Sequence, residues 1–133
     1  MALSLTAEDL IEIEQLICRY NFAFDDGDAE AWAACFTSDG GFYVAGEERA
    51  RGHDGLAAFV VSTKVPGQVR HVVTSVLADG QGDLATNRCY CTVFSSSPGS
   101  GSQVYAQGVY SDQLAKHTDG WRFTERRFDP DPV

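Results

Sequence analysis

The chain of 133 residues is 44% hydrophobic and 22% charged, a composition that supports one packed core and excludes a disordered chain. Its 10 basic and 19 acidic side chains give a formal net charge of −9, so nucleic acid and anionic membrane surfaces are poor partners. The first residues have no basic region followed by an apolar run, and no stretch approaches the about 20 apolar residues of a membrane span. We therefore expect a single domain over residues 1–133, located in the cytoplasm.

The amino-terminal third of the chain is predicted to be helical. Thr6 stands before a helix with two acidic residues in its first turn, a typical N-cap. Apolar residues then recur at intervals of three and four, which predicts one buried face: Leu10, Ile13, Ile17, Tyr20 and Phe24. Gly27 is expected to end this helix, and Asp28 to cap a second, short helix that runs through Trp32 to Phe36.

The remainder of the chain is predicted to be mostly strand. A turn at Ser38–Gly41 precedes a strand from Phe42, a short polar strand over Glu48–Arg51 and a third helix from Gly52. Beyond Pro66, segments rich in Val, Tyr, Phe and Thr predict four strands: Arg70–Leu77, Ala85–Phe94, Val104–Leu114 and Gly120–Phe128. Helices followed by such a meander predict an α+β fold, in which a cone-shaped, curled antiparallel sheet wraps around the amino-terminal helices and leaves a cavity.

No pattern in the sequence indicates a metal ion or another cofactor. The three histidines do not cluster at the spacing of metal ligands: His53, His71 and His117. The four cysteines are expected to be buried thiols, with the last two on one face of a strand: Cys18, Cys35, Cys89 and Cys91. No glycine-rich loop connects a strand to a helix, so a nucleotide site is not expected either.

Several segments spread over nearly the whole chain resemble one family. Arg19–Asp28, with Trp32 and Phe36–Asp39 after it, resembles the opening of SnoaL-like domains in the nuclear transport factor 2-like superfamily. Three later segments resemble the third, fifth and sixth strands of that family: Arg70–Thr74, Gly108–Asp112 and Asp119–Phe123. The resemblance implies a cystatin-like roll that pairs through the outer face of its sheet as a homodimer or homotrimer. It does not give the function, because the superfamily contains dehydratases, dehydrochlorinases, isomerases, cyclases and binding-only domains.

Three residues resemble the catalytic residues of one group within that superfamily. Scytalone dehydratase, bile-acid dehydratase and hexachlorocyclohexane dehydrochlorinase share an acid at the end of the first helix and a histidine on the third strand, where this chain has Asp25 and His71. Tyr20 matches the helix tyrosine of the bile-acid enzyme. The resemblance implies that His71 is a general base oriented by Asp25, and that Tyr20 assists an oxygen of the substrate. SnoaL-type cyclases, an alternative, use an acid on a late strand, for which Asp112 is the nearest candidate.

Helix and strand geometry also direct Asp25 and His71 towards the pocket. Asp25 lies about 110° from the centre of the apolar stripe and Asp26 about 150°, so that Asp25 reaches the pocket edge and Asp26 points to solvent. His71 shares an apolar, inward face of its strand with Val73, Ser75 and Leu77. A carboxylate that accepts the His71 Nδ1–H would leave Nε2 as a base facing the cavity. The alternative is a surface acid and a core histidine that do not touch.

The other candidate residues are assigned to substrate binding. Phe24 lies on the apolar stripe of the helix, and Val73 lies on the face of His71. Tyr110 and Asp112 share a face of the fifth strand, so either can line the pocket. Arg126 either faces inward, where it would bind a carboxylate or enolate oxygen, or lies on the surface.

Two functions are consistent with the sequence. The first is a cofactor-free lyase in which His71 removes a proton next to a carbonyl of a small apolar ring molecule, with elimination of water favoured over isomerisation or cyclisation. The second is a non-catalytic ligand carrier or accessory subunit. The distance between the Asp25 carboxylate and the His71 imidazole distinguishes them, because only the enzyme requires the two groups to touch beside a cavity.

Overall fold

The structure, a computed structural model, describes residues 4–132, which form three helices and six strands. The helices are α1 (Ala7–Asp25), α2 (Ala29–Ala33) and α3 (Gly52–Ser62). The strands are β1 (Phe36–Val44), β2 (Glu47–Arg51), β3 (Gln68–Gln81), β4 (Leu84–Ser97), β5 (Gly101–His117) and β6 (Gly120–Pro130). They form one curled, open sheet in the order β2-β1-β6-β5-β4-β3, with the helices packed on its concave side. The α+β cone predicted from the sequence is confirmed.

One pair of neighbouring strands departs from the expected antiparallel pattern. β1 and β6 run parallel, whereas the other four neighbouring pairs of the described sheet are antiparallel. β6 is the last strand of the meander that starts at β3, so its direction is set by the hairpin to β5 and not by a hairpin to β1. The sheet is therefore antiparallel except where the end of the chain returns beside β1.

The first turn of α1 forms as its sequence predicts. Thr6 Oγ1 accepts the Asp9 N–H at 3.0 Å, and Asp9 Oδ2 accepts the Thr6 N–H at 3.0 Å, which makes a reciprocal capping box. Five apolar side chains of the helix are buried: Ile13, Leu16, Ile17, Tyr20 and Ala23. Leu10 was expected in this stripe but is 43% exposed, because Asp9 takes the buried position of the first turn.

The carboxylate of Asp9 joins the start of α1 to the sheet. Its Oδ1 accepts hydrogen bonds from the Lys116 ammonium at 2.9 Å and from the Trp121 indole N–H at 3.1 Å. Hydrogen bonding, above all from Lys116, holds the pKa of Asp9 well below its ordinary value. The amino-terminal end of α1 is thereby fixed against β5 and β6.

The connection between α1 and α2 follows the predicted signals, but α2 is shorter than predicted. Gly27 adopts a φ of 71° directly after α1, a conformation that glycine reaches without strain. Asp28 caps α2 by accepting the Ala31 N–H at 3.1 Å. The helix ends at Ala33, and Phe36 already belongs to β1.

The glycines near the start of β1 mark an irregular strand and not the predicted turn at Ser38–Gly41. Phe36 and Gly41 pair with Phe123 and Glu125 of β6, so β1 contains three more residues than β6 between these two partners. The extra residues bulge out of the sheet while the strand continues. The segment Ser38–Gly41 is therefore irregular, as its composition predicts, but the prediction that the chain reverses there is wrong.

A second irregularity changes which residues of β3 face inward. The pairing of β3 with β4 shifts between Thr74 and Leu77, and Ser75 has a φ of 58°. Beyond this bulge the alternation reverses, so that Val76 packs against the core while Leu77 is 69% exposed. The prediction that Ser75 and Leu77 share the inward face of His71 is therefore wrong.

Apolar side chains fill the interior of the cone. The largest fully buried ones include Trp32, Trp121, Tyr20, Phe36 and Phe123. Three of the four cysteines are buried thiols as expected, whereas Cys18 lies exposed on α1. Between residues 4 and 132, none of the helices combines the length and the hydropathy needed to span a membrane.

Candidate active site

Asp25 and His71 are in direct contact at the end of α1. Asp25 Oδ1 lies 2.6 Å from His71 Nδ1, and Asp25 Oδ2 accepts the backbone N–H of His71 at 2.9 Å. Their side chains are only 7% and 8% exposed, whereas Asp26 is exposed to solvent. Because both carboxylate oxygens bind the same residue, the carboxylate fixes the imidazole relative to the strand. The structure therefore brings these two predicted residues into contact.

A cavity of about 160 Å³ lies beside His71; Asp25 contacts the imidazole but does not line the cavity. His71, Tyr20, Phe24 and Tyr110 line it, as the sequence predicts. The imidazole is held between aromatic rings, with the Phe24 ring 5.1 Å and the Tyr20 ring 6.5 Å away between centroids. Since Nδ1 is engaged by Asp25, Nε2 is the ring nitrogen able to accept a proton from a molecule in the cavity.

Two phenol groups complete the polar part of the cavity wall. The hydroxyl oxygens of Tyr20 and Tyr110 are 3.4 Å apart, so one can donate a hydrogen bond to the other. Burial raises the pKa of both phenols well above the ordinary value. Both groups therefore keep their O–H protons at neutral pH, and the phenol that does not donate to the other can donate a hydrogen bond to an oxygen of a ligand.

Asp112 and Arg126 form a second ion pair, sealed beneath the cavity. They are direct neighbours across β5 and β6, with Asp112 Oδ1 3.0 Å from Arg126 Nε, and both side chains are 0% exposed. Asn87 donates a hydrogen bond to Asp112 at 3.0 Å, and burial raises the pKa of this carboxyl. The guanidinium carbon of Arg126 lies 3.4 Å from the centre of the Tyr110 ring.

This arrangement corrects three of the predicted substrate contacts. Asp112 and Arg126 do not line the cavity, and the alternative of a surface position for Arg126 is also wrong. Val73 was also predicted to contact the substrate. It lies two residues after His71 in β3, pairs with Cys91 of β4 and does not line the cavity. The aromatic rings of Tyr20 and Tyr110 lie between the cavity and the guanidinium.

Most of the cavity wall comes from residues that the sequence did not single out: Phe42, Val44, Phe59, Thr63, Val65, Val69, Val93, Tyr105, Ala106 and Phe128. Strand alternation carries a signal for some of them, since Val69 stands two residues before His71 on the same face of β3. Val93 lies directly opposite His71 in β4, but predicting this contact requires the pairing register of β3 and β4, which the sequence does not give. Phe59 and Thr63 are one turn apart at the end of α3.

The described residues suggest no metal or thiol chemistry at this site. Between residues 4 and 132 there is no group of three His, Cys, Asp or Glu side chains able to hold a metal ion. Burial raises the pKa of the Cys91 thiol to about 11 and also raises that of Cys89. These thiols remain protonated at neutral pH and are poor nucleophiles.

The curled sheet and the helices on its concave side place the protein among the nuclear transport factor 2-like proteins with a cystatin-like fold. The chain belongs to the SnoaL-like domain family, which matches residues 5–127. No functionally curated protein matches it significantly.

Solved structures with similar sequences have the same fold. A variant of Rv3472, a Mycobacterium tuberculosis protein of unknown function, is 31% identical, with a TM-score of 0.88 over 95% of this chain and 73% of that chain. A nuclear transport factor 2-like protein from Novosphingobium aromaticivorans is 29% identical, with a TM-score of 0.81 over 92% and 82%. A Catenulispora acidiphila protein in complex with S-DNPA is 25% identical, with a TM-score of 0.83 over 95% and 96%.

Proposed function

We propose that the chain is a cofactor-free acid–base enzyme, a dehydratase-like lyase that acts on a small apolar ring molecule. One observation carries the proposal: an imidazole that lines an apolar cavity lies 2.6 Å from a carboxylate that orients it. A ligand carrier needs the cavity but has no use for an oriented base. The pair adds the one group that general base catalysis requires.

The reaction follows from the orientation of His71. Asp25 accepts the Nδ1–H, so the neutral imidazole has an unprotonated Nε2 on its other side. Nε2 removes a proton from a carbon next to a ring carbonyl, and the electron pair of the C–H bond moves to the carbonyl oxygen as an enolate. The O–H of Tyr20 donates a hydrogen bond to this oxygen. Asp25 stabilises the imidazolium while it exists.

Elimination completes the lyase reaction. The enolate re-forms the carbonyl and expels a hydroxyl group from the neighbouring carbon, and the proton held by His71 leaves with it as water. Return of the same proton to a different carbon would give an isomerase, and attack of the enolate on a second carbonyl would give a cyclase. These alternatives use the same base and differ only in the substrate.

The character of the cavity indicates the substrate class. Its wall is mainly aromatic and aliphatic, with the imidazole and a few hydroxyls as the polar groups, a composition typical of sites for apolar molecules. The similar Catenulispora acidiphila protein was solved in complex with S-DNPA, which supports ligand binding by a protein of this fold. The substrate is therefore expected to be an uncharged or weakly charged ring ketone.

Exchange with solvent deuterium tests the base directly, without knowledge of the natural substrate. Cyclohexenone and 1-tetralone are incubated in D₂O with the protein, and incorporation of deuterium next to the carbonyl is followed by NMR. The wild type should accelerate exchange, while His71→Gln and Asp25→Asn should not. Asp26→Asn, which changes the neighbouring exposed carboxylate, is the matched control and should behave as wild type. Binding of the ketones without accelerated exchange would identify a carrier instead.

We also propose that the protein assembles through the outer face of the sheet. That face exposes Val72, Leu77 and Tyr90, each between 45% and 69%, on the two neighbouring strands β3 and β4. Such side chains favour association with a second copy, as a homodimer or homotrimer. Light scattering should give a multiple of 14.4 kDa at micromolar concentration, and a monomer would contradict the proposal.

A further inference from the structure

One side chain of the cavity wall differs from all the others in its exposure to solvent. Tyr105 is 55% exposed, whereas every other lining residue is buried or half-buried. Tyr105 therefore marks the rim of the cavity. An aromatic ring that lines an apolar cavity and still faces water is a surface that a bound molecule can cover.

A break in the strand pairing directs Tyr105 to this position. Val93 of β4 pairs with Ala106 of β5, but the next residue, Phe94, pairs with Val104, so that Tyr105 has no partner of its own. In a regular strand, consecutive residues point to opposite faces of the sheet. Here both Tyr105 and Ala106 line the cavity. A bulge of this kind beside a site turns an additional side chain towards it.

The volume of the cavity indicates how much of a substrate lies inside. A cavity of about 160 Å³ is close to the about 150 Å³ that is known to hold one benzene molecule. One six-membered ring therefore fills the space between His71 and the rim. Any further ring of the substrate must lie outside this space, where the exposed face of Tyr105 is available.

We propose that Tyr105 is a specificity-determining residue that selects planar substrates of two fused or linked rings. The first ring occupies the cavity, and the second packs against the ring of Tyr105. The identification of the first ring as the reacting ring rests on the proposed function, because it places that ring against His71. The selection for a second ring depends only on the cavity and its rim.

Equilibrium binding of a matched pair of ketones tests this inference. Cyclohexenone carries one ring, and 1-tetralone carries a second ring fused to a similar ketone ring. Their affinities for the wild type, Tyr105→Ala and Tyr105→Phe are measured by NMR titration. Phe22→Ala is the control, because Phe22 is 71% exposed on α1 and does not line the cavity.

The wild type should bind 1-tetralone more tightly than cyclohexenone. Tyr105→Ala should weaken binding of 1-tetralone by about three- to tenfold, the range expected for loss of an aromatic pair, and should change cyclohexenone by less than twofold. Tyr105→Phe should retain the preference, and Phe22→Ala should leave both affinities unchanged. Equal loss for the two ketones, no loss for either, or a wild type without preference for 1-tetralone would each overturn the inference.

The same titrations separate this inference from the proposed function. They require no proton transfer, and His71→Gln should keep the preference for 1-tetralone. A preference that depends on Tyr105 in a protein without deuterium exchange would uphold the role of Tyr105 and reject the role of His71 as a base. Deuterium exchange in a protein without a preference for 1-tetralone would uphold the role of His71 and reject that of Tyr105.

Discussion

Two carboxylates inside the same cone each contact a nitrogen-containing side chain, and the two pairs differ in their access to the cavity. Asp25 and His71 are 2.6 Å apart beside the cavity, and Asp112 and Arg126 are 3.0 Å apart beneath it. The imidazole of the first pair lines the cavity, where a ligand can reach it. The second is fully buried under the rings of Tyr20 and Tyr110.

The two pairs also differ in chemistry, because one contains an imidazole and the other a guanidinium. An imidazole gains and loses a proton near neutral pH, whereas a guanidinium keeps its charge in any protein. The pair with access therefore holds the group that can exchange a proton with a ligand, and the sealed pair holds the group that cannot. The contact between the two groups of each pair does not by itself show which pair belongs to a functional site and which only stabilises the fold.

The largest expected effect is on catalysis by the accessible pair. His71→Gln removes the base and should lower kcat/KM for the exchange reaction by about 10²- to 10⁴-fold, with little change in the free energy of unfolding. NMR exchange rates and urea unfolding measure the two properties. If His71→Gln keeps the wild-type exchange rate, or loses as much stability as a variant of Asp112 or Arg126, the two pairs do not differ in role.

The sealed pair should show the reverse pattern. Arg126→Met leaves the Asp112 carboxylate buried without its partner and should reduce the free energy of unfolding by about 3–5 kcal/mol. The double variant Arg126→Met/Asp112→Leu removes both charges and should recover most of that loss. Urea unfolding curves measure both. A single variant as stable as the wild type would mean that Arg126 is not required to balance the buried charge.

Asp9 and Lys116 provide an intermediate case, because Asp9 is buried while the Lys116 side chain is 38% exposed. Hydrogen bonding lowers the pKa of Asp9 in the folded state, so its ionised form stabilises the fold above the unfolded pKa of about 3.9. This contribution is lost as the pH falls through the folded pKa. Asp9→Asn should destabilise the protein at pH 7 by less than Arg126→Met, and the difference from wild type should shrink below about pH 4. A difference that does not depend on pH would contradict the assignment.

The smallest expected effect concerns the phenol between the two pairs. Tyr20→Phe removes one hydrogen bond to the enolate oxygen and keeps the ring that covers Arg126, so exchange should slow by roughly two- to tenfold. Tyr110→Phe provides a comparison, since its hydroxyl lies 3.4 Å from that of Tyr20. Loss of rate in the Tyr20 variant as large as in His71→Gln would assign the proton transfer to the phenol.

The sequence predicted the parts of the site that depend on regular local geometry. The periodicity of α1 distinguished Asp25, which is buried against His71, from Asp26 in solvent, and the resemblance selected His71 as the partner. The positions that could not be predicted follow strand irregularities. The bulge at Ser75 exposes Leu77, and the bulge at Tyr105 adds a ring to the cavity wall. Bulges depend on the partner strand, whose register is not visible in a single segment.

The burial of Arg126 could not be predicted for a different reason. The apolar residues of β6 give no consistent inward face, because regular alternation places Phe128 on the face of Arg126 and Trp121 and Phe123 on the other. The side chain is buried because Asp112 lies directly opposite in β5 and aromatic rings surround the guanidinium. Each of these contacts joins segments that are distant in sequence. The parallel pairing of β1 with β6 is equally a property of the assembled sheet.

The tautomer of His71 tests the central claim most directly, because the proposed base requires a free Nε2. ¹⁵N NMR of labelled protein, recorded where His71 is neutral, distinguishes a protonated from an unprotonated ring nitrogen. The proton should reside on Nδ1, bound to Asp25, and Nε2 should be unprotonated. Asp25→Asn should weaken this preference, while Asp26→Asn should not change it. A neutral His71 with its proton on Nε2 in the wild type would contradict the proposed base.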